Sequence, residues 1–329
     1  MKILSDILSA TLLFAVPLLL VALGGMFSER SGIVNIALEG IMVIGALFAC
    51  LTLRALDLNT SIGQNAPQLG MFIAILVAAF SGALFSLLLA FASVSLKADQ
   101  TIGGTALNMM APALAIAVTW AVQGQGQTNI IIPTWARITQ ATLGITPKDV
   151  FWQNLLFKSF YQTTIWAVVL FIIAAVVLYK TRFGLRLRAC GEHPQAADSV
   201  GINVYRMRYS GVFISGVLGG IGGLAYTVAA GSTFQSSVAG YGFLALAVMI
   251  FGNWKPWNIL GASLFFALFK IIGSYSSSIP FLPKFDNLNQ SEYLYLMVPY
   301  VVTMILLILT SKKSRAPKSE GIPYDKGRR

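Results

Sequence analysis

The sequence predicts an all-α integral membrane protein, a polytopic bundle of about nine transmembrane helices (eight to ten) with one short helix in a loop. Three observations carry this prediction. Hydrophobic residues make up 56% of the chain and charged ones only 11%, with a mean hydropathy of +0.74. A water-soluble domain of 329 residues could not hide that much apolar surface and would aggregate. Apolar runs of about twenty residues, the length that crosses the hydrocarbon core as a helix, recur along the whole chain. They lack the roughly ten-residue alternation of a membrane β-barrel.

The candidate spans, in order, are residues 7–26, 38–56, 70–96, 102–122, 161–179, 209–231, 242–253, 257–276 and 293–310. The first could be mistaken for a signal peptide, but Lys2 is its only basic flank and the chain goes on to span repeatedly, so it reads as an uncleaved first helix. The seventh is short and is either a half-helix or is lengthened by its neighbours. Within the sixth, Ser215-Gly216-Val217-Leu218-Gly219-Gly220-Ile221-Gly222-Gly223 sets glycines four apart at 216/220 and 219/223. Such spacing lets helix backbones approach closely. The longest external connection, 123–160, opens with the polar run Gln123-Gly124-Gln125-Gly126-Gln127-Thr128-Asn129 and holds Trp135 and Trp152. It is either a surface for an external partner or an interfacial flap with aromatic anchors. Residues 1–311 thus form the membrane domain, and 312–329 a basic tail expected to be disordered.

Charge sets the orientation. If the nine runs alternate, one side collects sixteen Lys and Arg residues and the other six. The positive-inside rule puts the richer side in the cytoplasm, with the C-terminus, and the N-terminus outside; a re-entrant piece near 28–40 would move the N-terminus alone. The net charge of +11 would suggest a nucleic-acid partner in a soluble protein. Here the basic residues gather in loops, as orientation in a bilayer requires, and no nucleic-acid partner is read.

Catalytic constellations are missing. His193 is the single histidine, and Cys50 and Cys190 form no ligand cluster or disulfide framework, so neither a metal site nor an enzyme is read. The phosphate-binding pattern G-x-x-x-x-G-K-[ST] does not occur. Any nucleotide energy must therefore be brought by another chain.

Residues 180–208 are the one densely charged internal segment, edged by Lys180, Arg182, Arg186, Arg188, Arg206 and Arg208. Pro194 suits a first helical position, Glu192 suits the positive N-terminal dipole, and Gly201 is placed to end the helix. Ala196 and Ala197 leave one side smooth, and Asn203 can cap the next helix. From these features alone the segment is either a docking element about 10 Å long or an ordinary interfacial amphipathic turn.

The stretch Gly191-Glu192-His193-Pro194-Gln195-Ala196-Ala197-Asp198-Ser199-Val200-Gly201-Ile202-Asn203 resembles the coupling-loop motif of ATP-binding-cassette (ABC) importer permeases. Glu29-Arg30-Ser31-Gly32-Ile33-Val34-Asn35-Ile36-Ala37-Leu38-Glu39-Gly40, Gly104-Thr105-Ala106-Leu107-Asn108, Tyr241-Gly242-Phe243-Leu244-Ala245-Leu246-Ala247 and Phe251-Gly252-Asn253-Trp254-Lys255-Pro256 resemble the branch that carries nucleosides and simple sugars. The match is collinear from about residue 10 to 310. It implies a multi-pass subunit of the cell membrane with no cofactor of its own, and a cytoplasmic ABC ATPase that binds ATP and Mg²⁺. It also implies a second permease, expected to be a related but different chain, and an extracellular substrate-binding lipoprotein. The coupling residues would be Glu192, Pro194, Ala196, Ala197, Asp198 and Gly201. His193 departs from the pattern, which has an uncharged polar residue there, and would tune docking.

The candidate substrate path takes Asn35, Glu39, Thr105, Asn108, Phe234, Gln235, Tyr241 and Phe243, because neutral hydrogen-bonding groups with aromatic faces suit a nucleoside. Each has a structural alternative. Glu29, Arg30 and Glu39 could form an interfacial cluster that fixes helix ends, and interfacial aromatics are often anchors. Lys270, inside a span, either snorkels or pairs internally. Besides nucleosides, the expected function leaves open ribose-like or other simple sugars. From another class, an ion-coupled secondary transporter would use Glu39 as its proton carrier, and a membrane scaffold would move no substrate at all.

Overall fold

In the computed structural model, residues 2–60, 62–137, 162–231, 233–275 and 315–326 are described, with isolated positions between 297 and 308. The described elements are α1 (Lys2–Arg30), α2 (Leu38–Asn59), the single turn α3 (Ile62–Asn65), α4 (Pro67–Ala90, prolonged by a wide π turn, Phe91–Ser95) and α5 (Gln100–Gln123). After a two-residue strand β1 (Ile130–Ile131) come α6 (Gln162–Lys180), α7 (Arg182–Glu192), α8 (Pro194–Ser199) and α9 (Val204–Ala230). Strand β2 (Thr233–Phe234), α10 (Tyr241–Phe251) and α11 (Pro256–Ser274) follow. Among the described residues, seven helices are long and apolar enough to cross a membrane: α1, α2, α4, α5, α6, α9 and α11. They coincide with seven of the nine expected runs. The seventh run is the 11-residue α10, too short to span, and the ninth lies largely outside the described residues, as does Trp152.

The bundle is built around α9, which packs against α1, α2 and α4. Its glycines explain how three helices crowd one. Gly216 and Gly220 meet α4: a Cβ on Gly220 would overlap the carbonyl oxygen of Ala78, and one on Gly216 the hydroxyl of Ser86. Gly219 and Gly223 face α2, where a Cβ on Gly223 would overlap the carbonyl of Met42. Gly222 meets Val21 of α1. The two i, i+4 stripes visible in the sequence thus serve two different neighbours, one helix face each.

Helix ends are capped as the sequence chemistry directs. Asp99 accepts from the amides of Thr101 and Ile102 at the start of α5, Thr181 from Gly184 at the start of α7, and Asn203 from Arg206 at the start of α9. At the end opposite α7 and α8, β1 and β2 pair antiparallel, Ile130 with Phe234, and the indole of Trp135 donates to Asp57. Residues 130–135 after α5 are therefore tied to the mouth of the bundle.

The charged segment is more structured than expected. It contains two helices, α7 and α8, with Glu192 ending the first rather than opening the second. Tail residues 315–326, expected to be disordered, lie across this end of the bundle because they find buried partners there. The amide of Arg315 donates to the Asn253 side chain, Ser319 to the carbonyl of Gly191, and Gly321 to that of Gly32. The buried guanidinium of Arg208 donates to the carbonyl of Ile322 at 2.9 Å. Tyr324 is 5% exposed, packed with Cys190, Ala197 and Val204, and Lys97 pairs with Asp325 at 3.1 Å. A basic composition suggests a solvated tail, but a few well-placed carbonyls and one aromatic are enough to hold it.

Two tests follow from this packing. Gly220→Val should cost at least about 3 kcal/mol and prevent isolation of a monodisperse protein. Gly261→Ala, where a Cβ meets nothing within 4 Å, should be neutral or stabilise by up to about 1 kcal/mol; thermal unfolding with size-exclusion detection measures both. Burial also pushes the Cys190 thiol up to about 11, so maleimide labelling of Cys190 should be slow in the intact chain and rise at least about tenfold when residues 315–329 are removed.

Candidate functional site

The chain between α1 and α2 descends into the bundle without helical structure, and side chains satisfy its backbone. Gln100 Oε1 accepts from the amide of Val34 at 2.7 Å. Asn108 bridges the start of α2, donating from Nδ2 to the carbonyl of Ile36 and accepting at Oδ1 from the amide of Gly40, both at 2.8 Å. Asn108 lies eight residues into α5, about 12 Å along its axis. Asn35 is fully buried and donates to Ser215 Oγ at 2.8 Å. Irregular backbone at such depth needs these partners, since lipid offers none. Asn35 and Asn108 therefore serve the α2 entry, while Thr105, on the exposed face of α5, bonds back to the carbonyl of Thr101.

Glu39 caps the short helix. Its Oε1 accepts from the amide of Gly240 at 2.8 Å and its Oε2 from that of Gly242 at 2.6 Å, so a carboxylate meets the positive end of α10. Gly242 must be glycine, because a Cβ there would overlap the Glu39 backbone. The proposed cluster of Glu29, Arg30 and Glu39 divides: Glu39 stands apart at α10, while Glu29 and Arg30 both meet Trp254. Glu29 accepts from the indole of Trp254 at 2.5 Å and sits beside Glu320 of the tail, whereas Arg30 donates to the Trp254 carbonyl and faces Glu192 at 3.6 Å. Lys270 pairs inward, with Nζ 3.8 Å from the ring centroid of Tyr241, a cation–π contact in a desolvated place.

Near the mouth, a cavity of about 320 Å³ is lined by Tyr226, Thr227, Thr233, Gln235 and Ser237. The rings of Tyr226 and Tyr241 lie 4.3 Å apart, which joins this cavity to the Glu39 cap. Of the residues singled out in the sequence, Gln235 lines the cavity and Tyr241 backs it. Phe234 is fully buried beneath it in the β pair, and Phe243 is 49% exposed on α10, away from the lining. Tyr226 and Thr227 close a helix whose dominant sequence pattern is its glycine spacing, a packing pattern. Their signal was a cluster of Tyr, Thr, Ser and Gln between 226 and 237 in an otherwise apolar chain.

At the opposite end, α8 turns one side inward. Pro194 and Ala197 are buried, whereas Gln195, Ala196, Ser199 and Val200 are exposed. Asp198 faces Lys326 of the tail at 3.9 Å. Gly201 has φ +83°, and the amide of Ile202 returns to the carbonyl of Ala197 at 3.0 Å, a left-handed helix stop. The smooth side expected from Ala196 and Ala197 therefore consists of Ala196 alone.

Comparison with known proteins agrees with this architecture. Residues 7–309 match the family model described as branched-chain amino acid transport system / permease component. The guanosine ABC transporter permease protein NupQ of Bacillus subtilis is 43% identical, the alignment covering 100% of this chain and 99% of that protein. The nucleoside ABC transporter permease protein NupC of Lactococcus lactis is also 43% identical, over 98% and 97%. The putative glucose ABC transporter permease protein TsgC13 of Haloferax volcanii is 29% identical, over 85% and 80%. No solved structure matches the chain. With nearly its whole length matched and its spans built as a multi-pass bundle, the chain belongs to the family of transport-system permease components, which are membrane transport subunits and not enzymes.

Proposed function

We propose that this chain is the membrane permease of an ABC importer for nucleosides. Identity of 43% along the full length to permeases named for guanosine and for nucleosides carries the reading. The mouth cavity supports it, because tyrosine faces with neutral threonine, serine and glutamine groups suit a base and a ribose and place no charge against them. ATP and Mg²⁺ bind in a separate cytoplasmic ATPase. A second permease completes the pathway, and an extracellular lipoprotein delivers the substrate. The end that holds α7, α8, Lys97, Lys255 and the tail faces the cytoplasm, following the excess of Lys and Arg there.

In this mechanism α8 is the coupling helix. Its exposed face, with Gln195, Ala196, Ser199 and Val200, docks on the ATPase, while Pro194 and Ala197 fasten it to the bundle. Movement of the ATPase passes through α7 and α9 to the helices around the mouth. Glu39 works as a cap for α10, since both its oxygens already receive backbone amides; this disfavours a proton-carrying secondary transporter. The simple-sugar reading is kept for a permease of this branch because a relative named for glucose also aligns.

The whole importer, reconstituted in liposomes, should take up labelled guanosine or uridine only with ATP on the ATPase side. Uptake without the ATPase, driven by a membrane potential, would sink the proposal, and competition by ribose but not by nucleosides would move it to sugars. Ala196→Glu places a charge on the exposed face and should abolish substrate-stimulated ATP hydrolysis, a loss of at least about tenfold, with the melting temperature unchanged. Ala197→Glu buries a carboxylate and should instead destabilise the fold by about 2 kcal/mol or more. Normal transport by both variants would remove α8 from the coupling role.

A further inference from the structure

At the basic end, α1, α6, α7, the turn before α11 and the tail enclose a second cavity of about 320 Å³. Four cationic side chains, Arg30, Arg188, Lys255 and Arg315, line it against one carboxylate, Glu192. Glu192, at 3.6 Å, and Glu320 of the tail both act on Arg30, which leaves Arg188, Lys255 and Arg315 as the cations without a carboxylate partner among the described residues. Arg30 donates otherwise to the Trp254 carbonyl, and its Nε is buried without a partner. Arg188 lies over the Tyr179 ring at 5.0 Å and reaches the carbonyl of Gly184 at 3.4 Å. Neither Lys255 nor Arg315 forms an ion pair among the described residues. Converging, uncompensated guanidinium and ammonium groups call for an anion with several acceptor oxygens.

The shape beside this cavity narrows the choice of anion. Tyr179 and Lys255 also line a groove of about 480 Å³ between α6 and α11, whose remaining wall joins the apolar Ala175, Val176, Pro256 and Trp257 to Lys180 and Asn258 at its polar edge. Trp257 is 70% exposed at the start of α11, and Tyr179 is 41% exposed at the end of α6. Exposed aromatics at the basic ends of spans mark headgroup depth. A basic cavity at headgroup depth that runs into an apolar slot along two spans matches one class of molecule.

We propose that this end of the protein binds an anionic phospholipid, with its phosphate in the cavity of Arg30, Arg188, Lys255 and Arg315 and an acyl chain in the groove between α6 and α11. Basic pockets between spans on the cytoplasmic side recognise anionic headgroups in this way. The site goes beyond the transport function and does not depend on the substrate being a nucleoside.

Native mass spectrometry of the full-length, delipidated chain tests it, by titration with phosphatidylglycerol and with phosphatidylcholine of the same acyl chains. Phosphatidylglycerol should bind at least about fivefold more tightly, and Lys255→Gln with Arg315→Gln, both exposed positions, should remove about twentyfold of its affinity without lowering the melting temperature. Adding Arg188→Gln should weaken it further, and Val176→Trp, which fills the groove, should weaken both lipids. Equal binding of the two lipids, or unchanged phosphatidylglycerol binding by the double variant, would overturn the proposal. Displacement of the lipid by an equal concentration of glycerol 3-phosphate would overturn the lipid in favour of a soluble phosphate. Retained lipid binding with loss of the ATPase in co-purification would reassign the cavity to a protein contact.

Discussion

Everything in this bundle depends on backbone contact along α9. A membrane interior offers no hydrophobic drive to bring helices together, because lipid tails are as apolar as leucine; close packing and hydrogen bonds must do it. In α9 glycine removes the side chains that would hold α2 and α4 away, and each of those helices then seats its own carbonyls against the stripe. With α1, α2 and α4 fixed around one axis, the irregular entry to α2 acquires walls on all sides. Only then can Asn35, Asn108 and Gln100 meet the backbone groups that the entry leaves open.

The same constraint explains the half-helix. Helix α10 begins inside the protein, where its first amides would be costly without acceptors. Glu39, delivered by the irregular entry to α2, supplies two. Its charge is balanced by the helix end and faced by Lys270, so one acid, one amine and a helix terminus form a closed electrostatic unit next to the mouth cavity. The cavity itself is left with neutral groups.

Legibility in the sequence followed the range of the interactions. The seven described spans, the Asn203 cap of α9 and the glycine stripes rest on local spacing, and local spacing is what a sequence displays. Pro194 and Gly201 marked α8 for the same reason. The direction of Ala197, the partner of Glu39 and the resting place of the tail depend on residues far away in the chain, such as Tyr324, Gly240 and Arg208. No periodicity encodes these contacts. Polar residues at membrane depth were recognisable as unusual, but composition does not separate a residue that satisfies backbone from one that meets a substrate. Asn108 and Gln235 look alike in sequence; one is committed to Ile36 and Gly40, the other borders open space.

The tail has a consequence for folding order as well as for shape. Ile322 and Tyr324 complete the packing of Arg208 and Cys190, yet Arg208 and Ile322 are 114 residues apart in the chain. Until such distant segments meet, the face formed by α7, α8 and the start of α9 has an unfilled seam, with a buried arginine short of an acceptor. Residues 315–326 thus act as a keystone: long-range contacts close late, so this surface reaches its finished form only when the tail has docked.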